Sequence, residues 1–241
     1  MTKMHLKTMS CPVCGREEEV SVLSSTHSFG SPDLDFRSAR PARDVLHWMI
    51  HSCSNCGYAA YSESFGNPVS KEVKEFVLSD SGFSERTWDT ALSFEKIAKI
   101  AVLENDWTAA FYGYLHAAWA SERHRSDEPS AYRKEALAVL MEHFVSLAIP
   151  EDERYLLFAD LCRRTGDFTS VVSLEYQSMD ETVNRILAFQ KELAKGCDTG
   201  VYRVDAVISP EERDSDVQVM RVTFEDIFGT DDGSGCGGDK A

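Results

Sequence analysis

Two short stretches decide the fold of the N-terminal part of this chain: CPVCG at residues 11–15 and CSNCG at residues 53–57. In each, two residues separate a pair of cysteines. This spacing lets one tight turn bring both sulfurs within about 3.5–4 Å, the edge of a tetrahedron with metal–sulfur bonds of ~2.3 Å. A glycine follows each pair and can adopt the positive φ that closes such a turn. Four thiolates leave no open coordination position, so we predict one structural Zn²⁺ ion with four ligands: Cys11, Cys14, Cys53 and Cys56.

Two other uses of paired cysteines compete with metal binding. A redox CxxC normally occurs once, beside a βαβ pattern, and this sequence has no such pattern. Disulfides suit secreted chains, and the first residues, MTKMHLKTMS, lack the apolar segment of a signal peptide. Residues 15–52 separate the two pairs, more than the usual ~15–20 residues, so we expect an insertion. His51 precedes Cys53 closely, and we predict that it lies beside the metal ligands rather than among them.

Short strands are predicted on either side of both cysteine pairs. Val20 and Val22 alternate with polar neighbours, and residues 45–52 alternate in the same way with Trp48 on the buried face. Strands that lead into and out of two such turns form a zinc ribbon. A ribbon buries little apolar surface, so the metal is expected to supply most of its folding energy, on the order of 10 kcal/mol.

The insertion contains a charged loop at residues 31–43, with two prolines, two acids and three arginines. One interpretation is a solvated hairpin loop with internal ion pairs, each of which stabilises little. The other is a recognition loop whose arginines bind a carboxylate or a phosphate. The sequence leaves both open. The residues concerned are Asp33, Asp35, Arg37, Arg40 and Arg43.

From about residue 67 to residue 200, apolar residues recur at helical spacing. Short Asn-Asp and Gly-Asp turns join neighbouring helices, which therefore run antiparallel. Asp180 can cap the last helix, and Arg163 and Arg164 are predicted to cap helix carbonyls. Two hairpins resemble tetratricopeptide units, but their separation is not a multiple of the repeat, so a plain helical bundle stays an alternative. The residues that match in the first unit are Phe94, Ile97, Ala98, Ala110, Tyr114 and Ala117.

The formal net charge is −15, and it lies almost wholly in the second part of the chain. Residues 1–66 hold 6 basic and 7 acidic residues, whereas residues 67–241 hold 19 and 33. A chain this acidic is repelled by nucleic-acid phosphates and by anionic lipid. No apolar run approaches the ~18 residues that a membrane helix needs. We therefore expect a cytoplasmic protein whose partner is a protein or a peptide, rather than nucleic acid or a membrane.

These features predict a mainly α chain in three parts. A small β zinc ribbon with an inserted loop occupies 1–66, a tetratricopeptide-like array of helical hairpins occupies 67–200, and a partly disordered acidic tail occupies 201–241. Strand character recurs at 217–224 and, weakly, at 201–208. The sequence has no phosphate-binding glycine loop with lysine, no GxSxG and no HExxH, so no motif supports catalysis.

The order of these motifs resembles a family of uncharacterised bacterial proteins, a domain of unknown function with an N-terminal double-CxxC zinc ribbon. The matching residues of the N-terminal part are Cys11, Pro12, Cys14, Gly15, residues 31–35, Arg37, Cys53, Cys56, Gly57, Tyr58 and Ala59. Those of the helical part are Tyr114, Leu115, residues 117–119 and residues 160–166. The resemblance covers roughly residues 8–200. It implies a ribbon followed by tetratricopeptide-like helices and a bacterial, cytoplasmic setting, and it implies no activity. Ser54 stands where the family often has proline.

The leading functional hypothesis is a zinc-binding, non-enzymatic adaptor whose stacked helix pairs bind a peptide or a helix. One alternative is nucleic-acid binding by the ribbon, through Arg16 and the arginines of the loop. The other is an enzyme with a pocket at the junction of ribbon and helices, which would use His47, His51 or Asp33.

Overall fold

A computed structural model describes residues 2–84, 89–122 and 128–208. The protein is mainly α-helical, with two small antiparallel strand pairs in its N-terminal part, which confirms the predicted fold class. Within the described ranges, no helix is both long enough and apolar enough to cross a bilayer.

The chain from Met1 to Val207 forms one compact unit, divided from Ile208–Ala241. The boundaries predicted after residues 66 and 200 stay a prediction. The strand predicted at 217–224 and most of the predicted acidic tail lie outside the described residues.

Strands β1 (Lys3–Ser10) and β2 (Glu17–Ser25) form an antiparallel hairpin, and the first cysteine pair lies in its turn. The buried side chains of the two strands are those of Met9, Val20 and Val22, and the positions of Val20 and Val22 confirm the predicted alternation. The other side chains of β1 are exposed. Strand β2 therefore contributes more of its length to the core than β1 does.

The second cysteine pair lies between two short strands, β3 (Ile50–Ser52) and β4 (Ala59–Tyr61). Aromatic side chains attach these strands to the helices. The hydroxyl of Tyr61 lies 3.1 Å from Nδ1 of His116, and the ring of Phe94 lies 5.2 Å from the imidazole of His116. All three side chains are buried, so packed rings fill this part of the junction between ribbon and helices.

The strand predicted over 45–52 is wrong for most of its length, because Ala42–Trp48 is a 3-10 helix. A 3-10 helix places residues three apart on one face, whereas a strand places residues two apart there. Leu46 is accordingly buried, while Trp48 is 36 % exposed. The apolar residues of this stretch are compatible with the two-residue period of a strand and with the three-residue period of a 3-10 helix. Only its last residues, Ile50–Ser52, pair as a strand.

Polar caps satisfy free backbone N–H groups at the starts of the helices. Asp106 accepts a hydrogen bond from the N–H of Ala109 at 3.0 Å, directly after Asn105 turns the chain with φ 59. Gly113 allows two helices to approach closely, since a Cβ added there would lie 2.8 Å from the Cβ of Ala98. The elements of this stretch are α1 (Lys71–Ser79), α2 (Ser81–Ser84), α3 (Thr90–Glu104) and α4 (Trp107–Ser121).

The predicted Gly-Asp turn joins the helix that ends at Thr165 to the helix that begins at Phe168. Gly166 has φ 88, and Asp167 accepts a hydrogen bond from the next helix. Asp180 caps the last helix by accepting from Thr182 N at 2.8 Å. The helix that begins at Glu128 ends at Glu142, and turns follow. These helices are α5 (Glu128–Glu142), α6 (Glu151–Thr165), α7 (Phe168–Val172) and α8 (Glu181–Lys195). Helix α8 packs one face into the core, and the buried side chains of this face include Val183, Ile186, Leu187 and Gln190.

The residues after α8 fold back over the inserted loop, and we call residues 197–207 the C-terminal strap. The N–H of Leu34 donates to the carbonyl of Tyr202, and the N–H of Val204 donates to the carbonyl of Pro32, both at 2.9 Å. The weak strand predicted in this segment is wrong, because Val204–Ala206 is a 3-10 helix.

Candidate metal centre

Each cysteine pair forms the same tight turn. In the first turn, Gly15 N donates to the carbonyl of Cys11 at 2.9 Å, and in the second, Gly57 N donates to the carbonyl of Cys53 at 3.0 Å. Both glycines have φ 74, the left-handed conformation that the sequence predicts for them. The repeated motif therefore produces a repeated backbone geometry.

The four sulfurs form one cluster, in which every pair of Sγ atoms lies within 4.8 Å. The sulfurs of Cys11 and Cys56 are 3.7 Å apart, and those of Cys14 and Cys53 are 3.6 Å apart. Both distances join sulfurs of different turns, and all four cysteines are free of disulfides. The predicted ligands thus converge, and the cluster could hold a metal ion.

The thiols of this cluster influence one another's ionisation. The hydrogen bond with Cys56 lowers the pKa of Cys11 to about 5, and the same contact, together with burial, raises the pKa of Cys56. Burial raises the pKa of Cys53 to about 11. One thiolate thus opposes the ionisation of its neighbours, and a bound cation would offset the repulsion among four thiolates.

The cysteine cluster lies in the protein core. A Cβ added to Gly57 would lie 1.6 Å from the carbonyl oxygen of Phe83, so α2 lies directly against the second turn. The ribbon shares its apolar core with α1, α2 and α3, which differs from the expectation that it buries little apolar surface. The apolar side chains packed around the cysteines are Met9, Val20, Val22, Tyr58, Ala60, Phe65, Val73, Val77, Phe83 and Ile100.

Glu18 of β2 connects the first hairpin to the second cysteine turn. Its Oε1 accepts hydrogen bonds from the N–H of Ser54 at 3.1 Å, from the hydroxyl of Ser54 at 2.9 Å and from the thiol of Cys53 at 3.6 Å. Burial opposes its ionisation, but the hydrogen bonds from Ser54 and Cys53 outweigh burial and lower the pKa of Glu18. Nε2 of His51 lies 3.8 Å from Oε2 of Glu18. Glu18 thus lies between His51 and Cys53. The role of His51 beside a metal stays a prediction.

The inserted loop does not extend into solvent. Asp33, Asp35 and Arg37 are buried, so the solvated-loop interpretation is wrong for these three residues. Nη2 of Arg37 donates to the carbonyl of Trp119 at 2.8 Å, and Nη1 of Arg37 pairs with the carboxylate of Glu122 at the end of α4. The charged loop therefore binds to the helices.

Asp35 lies at the centre of this contact. Its Oδ2 accepts hydrogen bonds from Nε1 of Trp119 at 2.8 Å and from Nη1 of Arg164 at 3.1 Å, and Nη2 of Arg133 lies 3.5 Å away. Burial opposes ionisation of Asp35, but Arg164 and Arg133 outweigh burial and lower its pKa. We call the following five residues the arginine clamp: Asp35, Arg37, Glu122, Arg133 and Arg164.

The other two arginines of the loop differ in exposure. Nη2 of Arg43 pairs with Oδ2 of the buried Asp33 at 2.7 Å, whereas the side chain of Arg40 is 80 % exposed. Arg37 and Arg43 thus bind carboxylates of the protein itself. A recognition role for the loop stays a prediction, and the nucleic-acid alternative retains Arg16 and Arg40 as its exposed guanidinium groups.

Residues 4–194 match the model of an uncharacterised protein family conserved in bacteria, DUF2225. The chain belongs to this family. No curated protein and no solved structure matches it. The range that matches DUF2225 contains both cysteine turns and all five residues of the arginine clamp, and it ends before the C-terminal strap.

Within the matched range, the pair Arg163 and Arg164 departs from its prediction. Neither side chain caps its own helix as predicted. Nη2 of Arg163 pairs with Oδ1 of Asp160 at 2.8 Å, and Nη1 of Arg163 donates to the carbonyls of Asp198 at 3.0 Å and Gly200 at 2.7 Å. Arg163 therefore holds the C-terminal strap on α6, while Arg164 joins the clamp.

Sequence reasoning missed Glu18, Glu122 and Arg133. Glu18 lies in a run of three acids, in which its two neighbours are exposed, and nothing in the run distinguishes it. The burial of Arg133 was easier to predict than that of Glu18, because helical spacing places Arg133 on the buried face of α5. The buried residues that share this face are Ala136, Leu137 and Leu140.

Proposed function

We propose that this protein holds one structural Zn²⁺ ion among Cys11, Cys14, Cys53 and Cys56. A tetrahedron with metal–sulfur bonds of ~2.3 Å has edges of about 3.8 Å. The sulfur–sulfur distances of 3.7 Å and 3.6 Å across the two turns match that edge. This match is the observation that carries the proposal.

The donor set favours zinc over harder cations. Thiolates select soft and borderline metals, and four cysteines without an open position are typical of structural zinc sites. Three of the four cysteines are buried. An ion in this cluster would therefore stabilise the fold and would not activate a water molecule.

Metal analysis of the purified full chain tests this proposal. We expect about one zinc ion per chain, and loss of that ion in the double variant Cys11→Ser/Cys56→Ser. Cys197→Ser is the matched control, because Cys197 is an exposed free cysteine outside the cluster, and this variant should retain the ion. A folded wild-type chain without metal, or with stoichiometric iron in place of zinc, would contradict the proposal.

We further propose that the helical part serves as a scaffold for a protein or peptide partner. Large apolar side chains are exposed on its surface, with Met141 at 60 % and Val145 at 88 % near the end of α5. Exposed methionine suits an adaptable binding surface, and the acidic helical part repels nucleic acid. The other exposed apolar side chains of this part are those of Leu78, Val102, Leu103, Val172 and Met179.

The scaffold role can be tested by cross-linking the tagged protein in bacterial cells, purifying it and identifying the proteins that are attached to it. The variant Met141→Glu/Val145→Glu should lose partners that the wild-type chain captures. Ala131→Glu/Ala138→Glu is the control, since Ala131 and Ala138 are exposed residues of the same helix and the double substitution adds the same charge. Equal sets of partners for all three proteins would contradict a binding surface at the end of α5.

A further inference from the structure

Three guanidinium groups from three different elements meet at one carboxylate. Arg133 of α5 and Arg164 of α6 each place Nη2 at 2.5 Å from Oε1 of Glu122, and Arg37 of the inserted loop contacts Oε2 of Glu122. Arginine presents its N–H groups in a planar fork that fits carboxylates and phosphates. The carboxylate of Glu122 thus occupies the position of an anionic ligand.

The three arginines keep their positions through contacts that do not involve Glu122. Asp35 accepts from Nη1 of Arg164 at 3.1 Å and lies 3.5 Å from Nη2 of Arg133. Arg37 is held separately, because its Nη2 donates to the carbonyl of Trp119 at 2.8 Å. The guanidinium groups are therefore fixed in advance, and preorganised donors lose little freedom when an anion binds.

Glu122 is also the part of the clamp that solvent reaches most easily. Its side chain is 20 % exposed, whereas the side chain of Asp35 is fully buried and those of Arg133 and Arg164 are 3 % and 8 % exposed. A small anion from solvent would therefore reach the three guanidinium groups at the position that the carboxylate of Glu122 occupies.

We propose that Arg37, Arg133 and Arg164 form a binding site for a small oxyanion, in which Glu122 is the resident ligand that a free anion displaces. The ligand has the chemistry of a carboxylate or a phosphate, because both present two oxygens to a guanidinium fork. Glu122 competes as a tethered ligand at high effective concentration, so the wild-type chain binds such anions weakly and the site opens when Glu122 moves away.

Thermal unfolding of the full chain in sodium phosphate, sodium formate or sodium chloride at equal ionic strength tests this site. An anion that binds the folded state raises the unfolding temperature. In Glu122→Ala, without the tethered competitor, we expect phosphate or formate to bind about tenfold more tightly than in the wild-type chain. Glu104→Ala is the matched control, because Glu104 is an exposed acid at the end of the neighbouring helix α3. It should respond as the wild-type chain does.

The two anions separate the sources of the ligand. A response to phosphate assigns the site to phosphate groups, and a response to formate assigns it to carboxylates. If Glu122→Ala does not fold, Glu122→Gln retains the size of the side chain while removing its charge, and calorimetric titration with the same two anions replaces the thermal measurement. Responses of these variants that equal those of Glu104→Ala would overturn the proposal and leave the clamp with a purely structural role.

Discussion

The cysteine cluster and the arginine clamp both join the N-terminal part of the chain to the helices, but they do so differently. Each half of the cysteine cluster comes from five consecutive residues, 11–15 and 53–57, and each half has the same backbone geometry. The clamp takes its side chains from the inserted loop, the end of α4, α5 and α6. Local spacing specifies the first region, whereas only tertiary packing brings the second together.

The two regions also differ in what compensates their buried charge. The proposed zinc site takes its compensating cation from outside the chain, since its sulfurs approach to 3.6–3.7 Å and would repel one another as thiolates. In the clamp, the compensating groups belong to the chain itself, and burial of a charge is tolerated only while its partners remain. The two regions should therefore respond to different perturbations, and each experiment below is designed to separate them.

The largest effect should follow removal of the proposed zinc ion. Metal binding in small cysteine sites supplies on the order of 10 kcal/mol of folding free energy, so a strong chelator should unfold the ribbon. Hydrogen exchange should show β1, β2 and the two cysteine turns losing protection, while α5 and α6, which the clamp joins, retain theirs. Equal loss of protection in all of these elements would show that the two regions unfold as one unit.

Asp35→Ala should produce the next largest effect. It leaves the guanidinium groups of Arg133 and Arg164 buried without one of their carboxylates. Removing one partner of a buried ion pair costs about 3–5 kcal/mol. Urea unfolding of the zinc-loaded protein would measure this loss.

A surface pair provides the control for Asp35→Ala. Glu75 pairs with Lys71 at 3.2 Å, and both side chains are largely exposed. Glu75→Ala should change the free energy of unfolding by less than about 1 kcal/mol. If the two substitutions cost the same, the buried clamp contributes no more than a surface pair.

The two cysteine turns can be compared with each other through their glycines. Gly15→Ala and Gly57→Ala both place a side chain at φ 74, which costs roughly 1–2 kcal/mol. The added Cβ meets nothing within 4 Å at Gly15, but it lies 1.6 Å from the backbone of Phe83 at Gly57. Gly57→Ala should therefore lose an additional ~1–3 kcal/mol through overpacking, measured by thermal unfolding with zinc bound. Equal losses would mean that α2 moves away without cost.

The smallest effect should come from Glu18, which touches the second turn only through hydrogen bonds. Glu18→Ala removes the acceptor for the N–H and hydroxyl of Ser54. Loss of such a supporting contact typically weakens a metal site about tenfold or more, and competition with a chromogenic chelator would measure it. Glu17→Ala alters an exposed neighbour on β2 and should leave zinc affinity unchanged. An unchanged affinity in Glu18→Ala would show that the second turn holds its shape unaided.

The cysteine turns could be predicted because their geometry depends on neighbouring residues. The spacing of Cys53 and Cys56 and the glycine that follows them determine the turn before any tertiary contact forms. The Asn-Asp turn at residues 105–106 and the cap at Asp180 were predictable for the same reason, since a left-handed residue and an N-cap act on adjacent backbone.

The clamp could not be predicted because charged residues are normally solvated. Arg164 and Asp35 lie far apart in the sequence, and each alone has the properties of a surface residue. Their burial is explained only by the ion pair that they form with each other in the folded protein. The strand predicted over 45–52 failed for a related reason, because its apolar residues fitted two periods and the packing of Leu46 decided between them.

The hydrogen bonds that join the C-terminal strap to the inserted loop have a consequence for synthesis on the ribosome. Domains emerge N-terminus first at about 5–20 residues per second, so both cysteine turns leave the ribosome before any helix of the clamp. The ion pair between Asp35 and Arg164 cannot form until Arg164 has been synthesised. The hydrogen bond from Val204 to Pro32 forms later still, because Val204 follows Arg164 in the chain. The proposed metal site can thus assemble early in translation, whereas burial of the loop charges is completed only after the last helix has emerged.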